Sequence, residues 1–209
     1  MTTETDPVVE IVTFRPNATF TKEPEKFRLV REWVERAKSK GMNGQYWGQG
    51  VEKPHNVHWF LLWDSRAAHA VVQAEPDYPA FVKQIEELAD GPIRVLHVHF
   101  STHPPTKWLE APVTEVDIYK FSGDIVEYEK KTMKLAAYIQ ASHPSGYMGS
   151  TIGTALEENG TVGVYMGAWE TVEHHTALGE DETFMEMTEG LVGDLTDLQA
   201  MHVTLQPHA

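Results

Sequence analysis

Cysteine is absent from the 209 residues, which excludes disulfides, thiolate metal sites and a cysteine nucleophile, and agrees with a reducing compartment. No apolar run approaches the roughly 20 residues needed to cross a bilayer. The opening MTTETDPVVE has neither the basic n-region nor the apolar h-region of a signal peptide. A soluble, cytoplasmic protein is therefore expected. Basic residues are scarce, with Lys+Arg 17 against Asp+Glu 31 and a formal charge of −14. That balance argues against nucleic acid or an anionic membrane as a partner. The deficit is concentrated in residues 113–209, which hold 16 acids and four bases, all Lys. Without Arg, this half is poorly equipped to grip phosphates or carboxylates, and a neutral, largely apolar ligand suits it better. The glycines of GQYWGQG and GYMGSTIG lie in strand-like segments rather than in a strand-to-helix phosphate loop, so nucleotide binding is unsupported. They predict bulges or the close approach of a ligand. Neither G-x-S-x-G nor H-E-x-x-H occurs.

What is present is a core-forming composition, 41% hydrophobic, arranged in two similar halves around THPPTKWLEAPV, where three prolines mark a break. The expected division is a first unit at 1–101, a linker at 102–112 and a second unit at 113–209. In the first, alternating VVEIVTF (8–14) predicts a strand, and 24–40 a helix with Phe27, Val30, Val34 and Ala37 on one face. Strands GQYWGQG and NVHWFLLW follow, then helices over 65–73 and 78–88, then the strand IRVLHVHF (93–100). The second half repeats the order β-α-β-β-α-β at a spacing of about 105 residues. Its elements are VTEVDIYKF, a helix over about 125–141, YMGSTIGT, TVGVYMGAW, a helix from Thr171, and LQAMHVTL. Aligning Trp63 with Trp169 brings Asp64 onto Glu170, Ser65 onto Thr171, His69 onto His175 and Tyr78 onto Phe184 without a gap. One deleted residue then brings His97 onto His202. Ser65 and Thr171 fall where a strand ends and a helix begins, the N-cap position that hydroxyls favour.

The stretch WDSRAAHAVVQAEPDYPAF (63–81) resembles the strand-to-helix segment of antibiotic-biosynthesis-monooxygenase-type proteins of the dimeric α/β-barrel superfamily. The matching residues are Trp63, Asp64, Ser65, Pro76, Tyr78 and Phe81. The resemblance implies an α+β fold of two tandem ferredoxin-like βαββαβ units forming an intramolecular dimeric α/β-barrel, in which the tandem chain satisfies the family's pairing as a pseudo-dimer. Further self-association stays open. Two positions depart from the pattern. Val72, with Leu178 in the second copy, stands where many members carry a His, and Glu182 stands where the first copy has Pro76. The resemblance also implies a ligand cavity between helices and sheet. The superfamily spans cofactor-free oxygenases, cyclases, isomerases, decarboxylases, haem proteins and members without known chemistry, so fold alone does not choose.

Eleven histidines are the groups whose ordinary pKa suits proton transfer near neutral pH. Strand alternation places His97 with His99 and Val95, and His58 with Phe60 and Leu62 opposite Trp59, Leu61 and Trp63. His69 and His175 stand one turn into matching helices. Any single one of these is more often a satisfied core residue than a catalyst. The pair His97 and His99 offers two metal donors, but no third ligand at a diagnostic spacing completes a set, and nothing selects a haem ligand. No cofactor and no metal are expected. His55, His103, His143 and His208 fall in loops or the tail. The aromatic residues Tyr46, Trp47, Trp59, Trp63, Tyr78 and Phe81 suit a flat hydrophobic ligand, although aromatics at strand spacing are more often core.

The favoured reading is a cofactor-independent enzyme, an oxygenase, cyclase, isomerase or lyase, acting on an aromatic, polyketide or terpenoid-like molecule. Acid–base work falls to His97, His69, His58 and Tyr46, and substrate contacts to Trp47, Trp59, Trp63, Tyr78, Phe81, His175 and His202. The first-half pocket is the stronger candidate, since the second half has Val164 in place of His58. The competing readings are a non-catalytic small-molecule-binding or stress-associated barrel protein and, ranked below it, a haem-binding barrel.

Overall fold

The computed structural model describes residues 5–122 and 125–207; His208 lies outside them. Two compact units divide it, one holding the described residues through His99 with Gln206 and Pro207, the other Phe100–Leu205. The first contains β1 (Val8–Phe14), α1 (Ala18–Lys22), α2 (Pro24–Glu35), β2 (Met42–Gln49), β3 (Val57–Trp63), α3 (Arg66–Gln73), α4 (Tyr78–Glu86) and all but the last residue of β4 (Arg94–Phe100). In the second lie α5 (Thr106–Leu109), β5 (Val113–Phe121), α6 (Ile125–Ser142), β6 (Tyr147–Ala155), β7 (Val162–Trp169), α7 (Val172–Thr176), α8 (Glu182–Val192) and β8 (Leu195–Val203). A two-residue strand, β9 (Gln206–Pro207), adds to β2 in the first unit.

The strand orders are equivalent. Unit 1 runs β4-β1-β3-β2 and unit 2 runs β8-β5-β7-β6, and the strands pair antiparallel within each unit. Each half is thus a ferredoxin-like βαββαβ unit, and the fold class is α+β with the unit present twice. The central strands β1 and β3 are buried along their whole length, which is why VVEIVTF and VHWFLLW are apolar on both faces rather than alternating cleanly.

Local chemistry sets the element ends. Ser65 has an extended backbone, and its side chain accepts from Ala68 N at 3.0 Å to start α3. Thr171 accepts from His174 N at 3.3 Å to start α7. The helix expected over 24–40 instead ends its α-geometry at Glu35 and tightens into a 3-10 turn, Arg36–Lys40, which Gly41 closes at φ 95°. A glycine tolerates that left-handed backbone without a Cβ penalty. Glycine-linked register shifts occur between Met42 and Gly44 and between Tyr147 and Gly149, so the bulges expected of the Gly-containing strands are present. Within 102–112 the short helix α5 buries Trp108 and Leu109. Among the described residues, no helix is long and apolar enough to span a membrane.

Candidate functional site: two copies of a Glu–Trp–His–His cluster

Both units build the same four-residue cluster. On β1 of unit 1, Glu10 lies directly across from His97 on β4, and facing residues of antiparallel strands project to one side of the sheet. Trp63 ends β3, and Ser65 launches α3 so that its first turn brings His69 back over that strand end. The Trp63 indole donates to Glu10 Oε2 at 2.9 Å, and its ring stacks on the His69 imidazole with centroids 4.5 Å apart. His69 Nδ1 contacts His97 Nε2 at 2.8 Å and lies 3.5 Å from Glu10 Oε2. Glu10, Trp63, His69 and His97 are all buried.

In unit 2 the same bonds recur. Trp169 Nε1 donates to Glu115 Oε2 at 2.9 Å, His175 Nδ1 contacts His202 Nε2 at 2.7 Å, and Glu115 faces His202 across β5 and β8. One contact differs, because His175 Nε2 also meets Glu115 Oε1 at 3.2 Å. Both ring nitrogens of His175 are therefore held by protein, whereas the protein contacts of the His69 ring nitrogens among the described residues all fall on Nδ1.

Each cluster forms part of the wall of a cavity between the helices and the sheet of its own unit. The unit 1 cavity encloses about 530 Å³ and is lined by Glu10, Val12, Trp59, Trp63, His69, Tyr78 and Phe81, with Val34, Val72 and Ile85 among its apolar walls. The unit 2 cavity encloses about 310 Å³ and is lined by Glu115, Asp117, Tyr165, Trp169, His175, Phe184 and Thr188, among others. Burial pushes the His69 imidazole down to about 3, and the neighbouring His97 and Arg66 act in the same direction. The ring is therefore neutral at physiological pH. Burial also raises the Tyr78 hydroxyl, with help from the Glu10 carboxylate.

Of the residues singled out from sequence, Trp59, Trp63, His69, Tyr78 and Phe81 line the first cavity together, with His97 bonded behind His69. His175 lines the second, with His202 behind it. His58 and Tyr46 belong elsewhere. Tyr46 pairs with Phe60 across β2 and β3, and alternation turns it, His58, Phe60 and Leu62 to the sheet face away from the helices. Both His58 nitrogens are buried without a hydrogen-bond partner, and burial holds its imidazole down to about 4. Trp47 is on the helix side but packs into the core, 5.1 Å from Phe27 between ring centroids and beneath Arg31, rather than on the cavity wall. His99 is tied to the Pro7 carbonyl at 2.9 Å. His55 and His143 are exposed as expected, whereas His103 is half-buried.

Glu10 and Glu115 escaped the sequence reading because it weighed histidines and aromatics. The signal was present in a carboxylate at the third position of both strands, VVEIVTF and VTEVDIYKF, repeated 105 residues apart. Glu10 also alters the metal expectation, since Glu10, His69 and His97 place one donor atom each within 4.8 Å of one another. The third ligand that spacing did not disclose is thus supplied by a different strand. The 2.8 Å contact between imidazole nitrogens has the length of a shared-proton hydrogen bond. Two nitrogens on one tetrahedral zinc, each at about 2.0–2.1 Å, would stand farther apart.

No protein-family model matches the sequence, and no curated protein does. Solved structures do resemble the chain over nearly its full length. A Fusobacterium nucleatum protein provisionally assigned as a monooxygenase superposes with a TM-score of 0.66 at 9% identity, covering 99% of this chain and 95% of its own. An anthrone oxidase-like protein superposes at 0.69 and 10% identity, covering 97% and 93%. A Lactobacillus acidophilus protein, also provisionally assigned as a monooxygenase, superposes at 0.60 and 13% identity, covering 98% and 96%. At these identities the likeness establishes the fold alone, a ferredoxin-like unit carried twice in one chain.

Proposed function

We propose that unit 1 is a cofactor-independent oxygenase of flat, hydrophobic molecules bearing an acidic C–H or O–H, with His69 as the general base. The observation that carries this reading is the asymmetric use of the His69 ring, with Nδ1 engaged by His97 and Glu10 while the ring lines an aromatic cavity of about 530 Å³. A carboxylate beside Nδ1 favours the tautomer with its proton there, leaving the Nε2 lone pair for a substrate. The same carboxylate stabilises the imidazolium that forms when Nε2 takes a proton, as in acid–base triads generally. A ring held neutral by burial has its Nε2 lone pair available to take a proton. Trp59, Trp63, Tyr78 and Phe81 offer flat faces to a planar substrate.

For an anthrone the chemistry balances. His69 removes one proton of the ring methylene and leaves a delocalised carbanion, which passes an electron to dioxygen. Recombination forms a C–O bond, protonation gives a hydroperoxide, and loss of water leaves the quinone. One O2 is consumed and one H2O released per substrate. The test is dioxygen uptake by the purified protein with anthrone, in the presence of a chelator and without added flavin or haem. Catalysed uptake above autoxidation is expected, lowered about 10²-fold or more by His69→Ala, in the range of general base contributions, and lowered also by Glu10→Gln. Uptake abolished by the chelator would replace this reading with a metal-dependent one, and the absence of any acceleration across flat phenols and anthrones would leave a binding protein.

A further inference from the structure

We infer that the unit 2 cavity is a separate ligand site that takes a protonated amine on a flat apolar body, with Asp117 as its counter-charge. It is argued from unit 2 alone and does not depend on the activity proposed for unit 1. The two cavities descend from equivalent positions, yet their walls have diverged in one direction. Where unit 1 has Val12 and Trp59, unit 2 has Asp117 and Tyr165, cross-strand partners on β5 and β7. Both line the cavity, as does Thr188. Asp117 Oδ1, the Tyr165 hydroxyl and Thr188 Oγ1 are buried without a well-formed hydrogen bond, the Asp117 carboxyl lying beside Glu115 and the Tyr165 hydroxyl beside Ser150 and Tyr147, while among the described residues no lining residue of the unit 1 cavity has such an atom. Trp59, for comparison, has its indole N–H satisfied by Gln45 Oε1 at 2.9 Å.

Orphaned polar atoms in a protein interior are costly and uncommon. Three around one cavity of about 310 Å³, near the lower end of small-molecule pockets, imply a complementary ligand. The carboxylate of Asp117 asks for a hydrogen donor, the two hydroxyls can accept or donate beside it, and among the described residues no Lys or Arg lines the cavity. Glu115 is already committed to Trp169 and His175, and His175 has no ring nitrogen left for acid–base work. The aromatic rings of Tyr165, Trp169 and Phe184 offer faces suited to a cation and its flat body.

The test is isothermal titration of the full chain with three probes that share one ring system, 2-naphthylmethylamine, 2-naphthylmethanol and 2-naphthoate. One amine per chain should bind, at least tenfold more tightly than the alcohol, with the carboxylate weakest. Asp117→Asn should bring the amine down to the affinity of the alcohol, and Tyr165→Phe should weaken it several-fold, so that a folding defect in one variant does not decide the matter. His69→Ala should leave amine binding unchanged. The inference is overturned if the alcohol or carboxylate binds as tightly as the amine, if no probe binds saturably, if Asp117→Asn retains full affinity, or if His69→Ala abolishes binding and so places the probe in unit 1. Because that last variant is the one that removes the proposed oxygenase activity, failure of either idea is recognisable without the other.

Discussion

At the scale of single residues, the informative ones are polar groups placed where apolar ones would be simpler. His58 is 1% exposed with neither nitrogen bonded, and burial lowers its pKa from 6.5 to about 4. A group depressed in this way is neutral in the native state and charges more readily when unfolded. Its contribution to stability is present above the unfolded pKa and is lost as pH falls from about 6.5 toward 4, a full linkage of about 3 kcal/mol. Replacing it with the residue unit 2 carries, His58→Val, should therefore flatten the fall in Tm between pH 7 and pH 4.5. An unchanged slope in thermal melts would show that the imidazole is hydrated. Asp117 works in the opposite sense, since burial pushes it up to about 7 and Glu115 beside it is raised too, by burial and by the Asp117 charge. The native state then holds a proton that the unfolded state releases above about pH 4, so stability declines as pH climbs toward 7. Asp117→Asn should melt several degrees higher than the parent at pH 8, with a clearly smaller gain at pH 5. Equal melting at both values would mean that the carboxyl is ionised without penalty. Of these residues, His58 and its neighbours could be assigned to a strand face from alternation. Their use could not, because the side of a strand that meets the helices is decided by tertiary packing.

At the scale of elements, the junction of β3 and α3 is where sequence and site meet. Trp63, Ser65 and His69 occupy the strand end, the cap and the first turn, and the same trio recurs as Trp169, Thr171 and His175. Ser65→Ala removes the bond to Ala68 N and should cost about 1 kcal/mol. Because the freed turn carries His69, the loss should also reduce the rate of the activity proposed for unit 1 more than it weakens binding of the proposed substrate. Ser65→Asp, which restores a cap, should recover both. A rate unaffected by Ser65→Ala while stability falls would separate the cap from the site. The local signals were legible here because capping chemistry acts over three or four residues. The partners Glu10 and His97 lie 53 residues before Trp63 and 34 after it. Only the pairing of β1 with β4 brings them across from one another, and no local pattern encodes that register.

At the scale of the whole molecule, two units of equivalent topology present two cavities with one shared cluster and different surroundings. Unit 1 keeps an imidazole with one engaged nitrogen in an aromatic chamber, and unit 2 ties both nitrogens down and adds a carboxyl and a phenol. The formal charge of −14 acts on both units through self-repulsion, which salt screens over about 8–10 Å at physiological ionic strength. Raising sodium chloride from 10 to 150 mM should therefore raise Tm by a few degrees. A decrease would show that the ion pairs of α2, such as Arg28 with Glu25 and Glu32, outweigh the repulsion. The sequence by itself determined the β-α-β-β-α-β order of each half, the recurrence of that order and the helix caps at Ser65 and Thr171, because each rests on periodicity or on contacts a few residues apart. Tertiary structure alone decided that Glu10 and Glu115 complete the clusters, that His58 and Tyr46 turn away from the cavity, and that the two copies of one histidine have different freedom. Those outcomes depend on strand register and on ångström-scale distances between residues far apart in the chain.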